Sequence, residues 1–129
     1  AMIETQEAFD NLEEIASTSG LDGLYIGTAD LTIGLNQGKL RPGFDRTEAE
    51  MIEAKKKILE IAHKNGKVAC LHCGTPEYAA QATDWGFDLV TITNDVRLLS
   101  GAAAAHVKKF KELTNQKIDI SSEDDPSSY

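Results

Sequence analysis

The sequence has little of what would tie a protein to a membrane or to nucleic acid. Its apolar runs are all far shorter than the roughly 20 residues that a membrane-spanning helix requires, and no signal-peptide pattern opens the chain. Acidic side chains outnumber basic ones, 21 Asp and Glu against 13 Lys and Arg, which gives a net charge of -8. Because phosphate backbones and anionic lipids are themselves negative, we expect no nucleic-acid or membrane partner and a cytoplasmic location.

Cysteine is also scarce, and the two thiols, Cys70 and Cys73, fall in one stretch, "CLHC". Two positions so close together in a strand-like run are poorly placed to form a disulfide with each other. A zinc ion would need more ligands, and although His72 lies between the cysteines, no second Cys or His pair follows. We expect buried or strand-end thiols, with a Cys-His-Cys metal or redox site as the alternative.

What the chain does contain is typical of one globular domain. Its 129 residues are 41% hydrophobic and 26% charged, which suits a single modest core. Along the chain, strand-like and helix-like segments alternate four times. The predicted strands cover residues 2–4, 23–27, 67–72 and 88–93, and the predicted helices cover residues 5–18, 47–66, 75–85 and 94 or 95 onward.

Start and stop signals support the two middle helices. Thr47 and Glu50 are spaced as a capping box at the start of the longer one, and Gly66 is a typical stop after it. Thr75 is a good cap for the next helix, with Pro76 at its first position. Both segments are therefore predicted to be helical.

The last helix is predicted to begin near Asn94 or Asp95. From Thr114 onward almost no apolar content remains, so residues 114–129 are predicted to form a disordered acidic tail. The apolar residues expected on the inner face of this helix are Val96, Leu99, Ala103, Val107 and Phe110.

Four alternations of strand and helix imply parallel strands joined by helical crossovers, which is an α/β architecture. Four βα units are half of an eight-unit TIM barrel, so we expect a partial barrel of about four units over residues 1–113. A four-stranded open sheet is the alternative, but it leaves an acid on the first strand, Glu4, unexplained.

Two acids, Glu4 and Asp30, stand where apolar strands end. Consecutive parallel strands are usually neighbours, and ligands bind at their carboxyl ends, so the two carboxylates should come close at one rim. Carboxylates crowded together repel unless a cation lies between them, and a hard divalent ion such as Mg²⁺ or Mn²⁺ suits this role. On spacing alone, an ordinary turn position for Asp30 and a helix-proximal one for Glu4 explain the pattern equally well.

The residues that follow the second strand, Gly27-Thr28-Ala29-Asp30, are mostly small. Small residues let backbone N–H groups approach a bound anion closely. The connection from Gly27 to Thr47 is also far longer than the usual βα loop, and loops of this length are typically functional lids or disordered segments. We expect a functional loop here.

At this point the chain resembles a known family. The stretch "MIET-EA--NLEEIA----GLDGLYIGTADLTIGL", from Met2 to Leu35, looks like the second half of the class II pyruvate-dependent aldolases of the HpcH/HpaI aldolase and citrate lyase family. The resemblance continues through "AHKNGKVACLHC" and "GFDLVTITNDVRLLSGAA" and covers nearly all of residues 2–113. It implies that residues 1–113 are the C-terminal half of an aldolase-type TIM barrel.

The resemblance implies a metal-dependent carbon–carbon lyase that cleaves a 2-keto-3-deoxy or 4-hydroxy-2-oxo acid to pyruvate and an aldehyde. Glu4 and Asp30 would bind Mg²⁺ or Mn²⁺, with Co²⁺ a further candidate, and this ion would polarise the 2-oxo group and stabilise the enolate. The amides around Gly27, Thr28, Ala29 and Asp30 would hold the carboxylate of the 2-oxo acid. Thr28 stands where the family usually has Pro, which leaves this backbone less fixed.

The family's substrate-bracing Arg and acid/base His come from the first half of its barrel, which has no counterpart in this chain. The catalytic residues therefore stay unassigned, although His72, at the carboxyl end of the third predicted strand, is a weak candidate for lining the site. Neither His72 nor the other Arg and His residues match the family's motifs, and these others are Arg41, Arg46, Arg97, His63 and His106.

Two functions follow from this interpretation. The chain is half of an aldolase that needs the other half-barrel for turnover, or it is a non-catalytic remnant that acts as an assembly module or binds metal or a 2-oxo acid. In both cases an incomplete barrel exposes apolar edges, so we expect a homo-oligomer or a complementing half-barrel as partner.

Overall fold

The computed structural model describes residues 1–114, in which four parallel strands alternate with helices on one side of the sheet. Among these residues no helix is both long and apolar enough to cross a bilayer. The predicted tail lies outside the described residues except for Thr114, which ends the last helix. The strands are β1 (Met2–Ile3), β2 (Gly23–Ile26), β3 (Val68–His72) and β4 (Leu89–Thr91), and the helices are α1 (Gln6–Asp10), α2 (Leu12–Ala16), α3 (Thr28–Asn36), α4 (Ala49–Lys64), α5 (Pro76–Trp85) and α6 (Asp95–Leu113).

The sheet has the order β1-β2-β3-β4, and each neighbouring pair is parallel. The register aligns Ile3, Ile26, Leu71 and Val90 in one row across the sheet. The first three of these side chains are fully buried beneath the helices. This arrangement confirms the predicted α/β fold with parallel strands and helical crossovers.

The next row of the register faces the other way, because successive side chains in a strand alternate between faces. It contains Met2, Tyr25, Cys70 and Leu89. Met2 is 58% exposed and Leu89 is 49% exposed, so no part of the described chain covers this face of the sheet. A sheet covered by helices on one face alone matches a section of barrel wall whose inner face lies open.

The predicted loop between Gly27 and Thr47 is wrong over residues Thr28–Asn36, which form helix α3. This segment has poor helix formers, with β-branched residues and a glycine, and its apolar side chains do not form a clear stripe. Tertiary packing stabilises the helix instead, since Thr28, Leu31 and Thr32 are fully buried and the Thr32 hydroxyl donates to the Thr28 carbonyl at 2.7 Å.

The start of α4 also differs from the prediction. The capping box of Thr47 and Glu50 does not form, because the helix begins after Glu48 and no side chain caps it. Arg46 makes a two-pronged ion pair with Glu48, with Nε to Oε2 at 2.9 Å, and Glu48 keeps an extended backbone. This local pairing competes with the cap. The helix therefore begins only at Ala49, later than a capping box at Thr47 predicts.

The predicted first helix over residues 5–18 is divided into α1 and α2 at Asn11. The Asn11 side chain donates to the carbonyl of Glu7 at 2.8 Å, which competes with the helical backbone bonds. Leu12 and Ala16 are nevertheless buried, so the apolar spacing correctly identified the side that faces the sheet.

Helix α6 begins after the cap residue Asn94 as predicted, but its expected inner face is not buried in the described chain. Val96 is 69% exposed, Leu99 is 74% exposed and Phe110 is 59% exposed, and no residue of α6 is buried. The apolar spacing of this helix predicts a packed face, but α6 does not pack back onto its own sheet. The predicted inner contacts of Val96, Leu99, Ala103, Val107 and Phe110 are therefore wrong for this chain.

Lys55 is fully buried among α4, α5 and the loop before α4. Its ammonium group donates to the Arg46 carbonyl at 3.1 Å and to the Tyr78 hydroxyl at 2.6 Å, and Tyr78 donates to the same carbonyl at 2.6 Å. Burial lowers the pKa of Lys55 to about 8. These bonds fasten the loop that carries Arg46 to the helical layer.

This lowered pKa predicts a pH-dependent stability. The unfolded chain keeps the ordinary Lys pKa of 10.5, so it binds more protons than the folded chain between pH 8 and 10.5, and the penalty of the buried charge is relieved as the pH rises. Relative to a Lys55→Met variant, the wild type should gain up to about 3 kcal/mol in free energy of unfolding over this range. Urea unfolding at several pH values measures the difference.

The matched control is Lys56→Met, which removes an exposed amine from the same helix and should show no such slope. Comparing variants also cancels the opposing effect of Cys73, whose pKa burial raises to about 11. Parallel stability curves for the wild type and Lys55→Met would contradict the prediction.

Candidate active site

Glu4 and Gly27 directly follow Ile3 and Ile26, which are paired in the sheet, so they lie side by side at its carboxyl edge. The Glu4 side chain lies against the Gly27 backbone, in the space that a side chain at position 27 would fill. A Cβ at Gly27 would lie 2.8 Å from Glu4 Cδ and would overlap the carboxylate. The missing side chain of Gly27 therefore makes a cradle for the Glu4 carboxylate.

Asp30 follows on the neighbouring strand connection, in the first turn of α3, and it is exposed. Within residues 1–114 neither Glu4 nor Asp30 forms an ion pair or a side-chain hydrogen bond. Two carboxylates thus follow adjacent strands at one edge of the sheet, and their close approach to each other stays a prediction. Their shared binding of a metal stays a prediction.

The first turn of α3 offers free backbone donors at the same edge. The first helical hydrogen bond runs from the Leu31 amide to the Gly27 carbonyl at 2.9 Å. The amides of Thr28, Ala29 and Asp30 precede that bond and have no carbonyl partner within the helix. They form a helix N-terminus beside Glu4, where the helix dipole favours an anion.

Thr28, at the position where the resemblance implies a proline, is fully buried at the start of α3. Its hydroxyl donates to the carbonyl of His72 at 3.4 Å, and its own carbonyl accepts from Thr32. Thr28 therefore links the start of α3 to the carboxyl end of β3, which a proline at this position could not do.

His72 lies at the carboxyl end of β3 on the open face of the sheet. Its Nδ1 is 2.9 Å from the Tyr25 hydroxyl and 3.1 Å from the Thr91 hydroxyl, and the Phe44 ring packs edge-on at 4.6 Å between centroids. Burial lowers the pKa of His72, Asp45 acts in the opposite direction, and Arg97 lowers it further. The imidazole is thus neutral near pH 7 and held from one side.

The other two histidines lie away from this edge. His63, at the end of α4, has Nε2 2.8 Å from Asp88, and Asp88 also accepts from the Ala69 amide at 2.8 Å, near the amino ends of the strands. His106 is exposed on α6. Neither can act on a ligand bound between Glu4 and His72.

Several residues around His72 were not predicted from the sequence. Tyr25 and Thr91 could have been found, because strict alternation along the strands puts them on the same face as His72. Phe44 and Asp45 lie in the irregular segment after α3 and gave no signal. Both Asp45 oxygens are engaged at the β3–α5 turn, by the Gly74 amide and the Thr75 hydroxyl, each at 2.7 Å.

The cysteines do not form a metal centre in the described part of the chain. No group of three or more His, Cys, Asp or Glu side chains there could hold an ion. Cys70 and Cys73 are both free, and burial raises the pKa of each thiol. Protonated thiols are poor metal ligands and poor nucleophiles, which is evidence against a Cys-His-Cys metal or redox site.

The chain is similar to known proteins over most of its length. Residues 1–101 match the family model described as HpcH/HpaI aldolase/citrate lyase. A hydroxypyruvate/pyruvate aldolase of Rhizorhabdus wittichii is 42% identical over 113 residues, which are 88% of this chain and 44% of the relative. A 2-keto-3-deoxy-L-rhamnonate aldolase of Escherichia coli is 32% identical over 115 residues, which are 88% of this chain and 40% of the relative.

Solved structures share the same fold. An HpcH/HpaI aldolase from Desulfitobacterium hafniense superposes with a TM-score of 0.74 at 24% identity, covering 87% of this chain and 42% of that one. A family protein from Burkholderia cenocepacia superposes with a TM-score of 0.72 at 26% identity, covering 85% and 41%. The chain thus spans less than half the length of these relatives. It belongs to the HpcH/HpaI aldolase/citrate lyase family.

Proposed function

We propose that this chain is half of a divalent-metal-dependent carbon–carbon lyase. The reaction is aldol cleavage of a 4-hydroxy-2-oxo or 2-keto-3-deoxy acid to pyruvate and an aldehyde, and turnover needs the other half of the barrel. The observation that carries the proposal is the Glu4 carboxylate lying unpaired in the Gly27 cradle, beside the free amides of α3. The relatives' names as aldolases support the reaction class.

The residues present fit a hard divalent ion. Glu4 and Asp30 supply carboxylate oxygens, which Mg²⁺ and Mn²⁺ prefer, and the cradle leaves no room for a competing side chain. Lewis acidity toward the 2-oxo group of the substrate is the chemistry that such an ion supplies when it is bound. The protein's part is to present the two carboxylates at the same edge of the sheet.

The amides of Thr28, Ala29 and Asp30 bind the carboxylate of the 2-oxo acid. Three N–H groups at a helix N-terminus match the oxygens of a carboxylate, and the helix dipole adds a favourable field. The bound acid then lies with its 2-oxo oxygen toward the two acidic side chains. Binding at this end leaves the rest of the substrate directed along the sheet edge toward His72.

His72 is proposed to line the substrate site as a neutral, oriented imidazole. The two hydroxyls of Tyr25 and Thr91 meet at its Nδ1, which leaves Nε2 for a hydrogen bond to substrate. The family's Arg and acid/base His lie outside this chain, so proton transfer to the departing aldehyde is assigned to the other half-barrel.

A non-catalytic half-barrel is the second candidate function. It is favoured by the exposed row of Met2 and Leu89 and by the uncovered apolar face of α6, which suit assembly as much as catalysis. In that case the chain associates with itself or a partner and retains at most metal or 2-oxo-acid binding.

Removing either carboxylate should abolish stabilisation by metal. In Glu4→Ala and Asp30→Ala, Mg²⁺ or Mn²⁺ should no longer raise the melting temperature, because one carboxylate alone is a weak ligand set for these ions. Differential scanning fluorimetry with and without a chelator measures the response. Glu14→Ala, which removes an exposed acid from α2, should respond like the wild type, and a normal response in either site variant would count against the assignment.

Gly27→Ala tests the cradle without touching either acid. The backbone at Gly27 (φ -85) is accessible to any L-residue, so the added methyl group should displace the flexible end of Glu4 and leave the fold intact. We expect an unchanged melting temperature in the chelator and a weakened metal response. Gly101→Ala, which meets open space on α6, is the control, and full metal stabilisation in Gly27→Ala would exclude the cradle as a ligand site.

Catalysis should depend on the second half of the barrel. We expect no pyruvate from this chain with 4-hydroxy-2-oxoheptanedioate and Mn²⁺, and measurable release after adding the part of the R. wittichii relative that this chain does not cover. A coupled lactate dehydrogenase assay detects pyruvate, and the mixture containing Asp30→Ala should be inactive. Turnover by the chain alone would refute both the need for a second half and the non-catalytic alternative, whereas an inactive mixture would favour that alternative.

A further inference from the structure

All three arginines of the chain line one cavity. The sequence contains 13 basic Lys and Arg residues, of which the arginines are Arg41, Arg46 and Arg97. The cavity has a volume of ≈ 290 Å³, and no lysine lines it. In a chain with a net charge of -8, this gathering of one residue type around one space needs a reason.

The cavity lies at the carboxyl edge of the sheet, beside the candidate active site. Its walls come from the segment before α4, from Thr75 at the β3–α5 turn and from Arg97 in the first turn of α6. Phe44 is shared by both places, since it lines the cavity and packs edge-on against His72 at 4.6 Å. The cavity therefore adjoins the side of His72 on which the Phe44 ring packs.

The frame of the cavity is fixed. Asp45, the acidic residue that lines it, accepts hydrogen bonds on both oxygens from Gly74 and Thr75, which pins the segment to β3. The Arg46 carbonyl accepts from buried Lys55 and from Tyr78, and its guanidinium pairs with Glu48. Arg46 therefore holds the segment before α4 in place, and its charge is balanced by Glu48.

The Arg97 side chain lies over Phe44 and Gly74 at the wall of the cavity. Its guanidinium carbon lies 5.4 Å from the centre of the Phe44 ring. The glycine at position 74 gives it room, because a Cβ there would lie 3.0 Å from Arg97 Nη1. Arg41, by contrast, is exposed at the mouth of the cavity and has no partner among the described residues.

The charges of the lining favour an anion. Arg46 is paired with Glu48 and the Asp45 carboxylate accepts from Gly74 and Thr75, so Arg41 and Arg97 are the lining residues whose positive charge faces the cavity. Guanidinium groups present paired N–H donors that match the oxygens of a carboxylate or phosphate, which the ammonium group of lysine does less well.

We propose that this cavity binds the anionic terminal group, a carboxylate or a phosphate, of the aldehyde portion of the substrate, with Arg97 and Arg41 as its ligands. The assignment of the ligand to the aldehyde portion rests on the proposed function, in which the 2-oxo acid end lies at α3 and the chain of the substrate runs past His72. Arg41 and Arg97 then select substrates whose far end is charged over neutral ones of the same length.

The test measures anion binding by this chain in a chelator, so that it does not depend on metal or on turnover. Butanoate and glycerol 3-phosphate are titrated to about 50 mM while amide and arginine Nε signals are followed by NMR, with 1-butanol and glycerol as uncharged controls. We expect saturable shifts around Thr75 and Arg97 with at least one of the two anions and none with the alcohols. The anion that saturates identifies the carboxylate or the phosphate as the group that is bound.

Variants separate an anion site from a set of structural arginines. Arg41→Gln removes an exposed side chain with no role in the frame and should weaken binding about tenfold, as should Arg97→Gln, since each loses charge-assisted hydrogen bonds. Arg97→Lys keeps the charge and serves if Arg97→Gln does not fold, with the same expected weakening. Lys108→Gln removes one positive charge from exposed α6 and should bind like the wild type.

Three results would overturn the proposal. They are the absence of saturable shifts with either anion, equal weakening by Lys108→Gln, and unchanged affinity in both Arg41→Gln and Arg97→Lys. If metal does not stabilise the wild type, or if the two halves release no pyruvate, the proposed function alone is contradicted. Anion binding in the chelator is measured without metal and without turnover.

Discussion

Helix α3 packs closely on the backbone around Glu4, and the geometry of the candidate site depends on this contact. Two glycines make it possible. Gly27 leaves space for the Glu4 carboxylate, and Gly34, two turns further along the helix, would place a Cβ 2.8 Å from the Glu4 carbonyl oxygen. Because the helix that carries Asp30 rests directly on the residue that carries the other carboxylate, the two cannot move independently. A side chain at position 34 would push α3 away and separate them.

Much of the fold could be predicted because local and global signals agree. Alternating strands and helices, the Thr75 cap with Pro76 and the Asn94 start of α6 all appear in the structure, and Glu4 and Asp30 follow neighbouring strands as their positions in the chain suggested. Helix α3 could not be predicted, because its residues are poor helix formers and only burial against the sheet makes them helical. The positions of Phe44 and Asp45 beside His72 could not be predicted for a related reason. Hydrogen bonds that Asp45 accepts from a turn 29 or 30 residues away in the sequence hold this segment in place.

The failed prediction for α6 differs in kind. Its apolar spacing is real, but the described chain offers nothing for that face to pack against, so periodicity identified a contact surface and not its partner. The open face of the sheet gives the same message. Sequence patterns therefore indicate which side chains suit burial, but they do not identify the element that covers them.

The row formed by Met2, Tyr25, Cys70 and Leu89 has a consequence for how such a half is completed. These side chains differ widely in size and shape, since the row contains a thioether chain, a phenol, a thiol and a branched aliphatic group. The surface is therefore uneven. Protein interiors are packed as tightly as organic crystals, and a mismatch of even one methylene is felt. A surface that packs over this row must therefore be complementary in shape, with large side chains opposite Cys70 and small ones opposite Tyr25. Halves taken from different members of the family should be interchangeable only where the residues on both contacting surfaces have changed together.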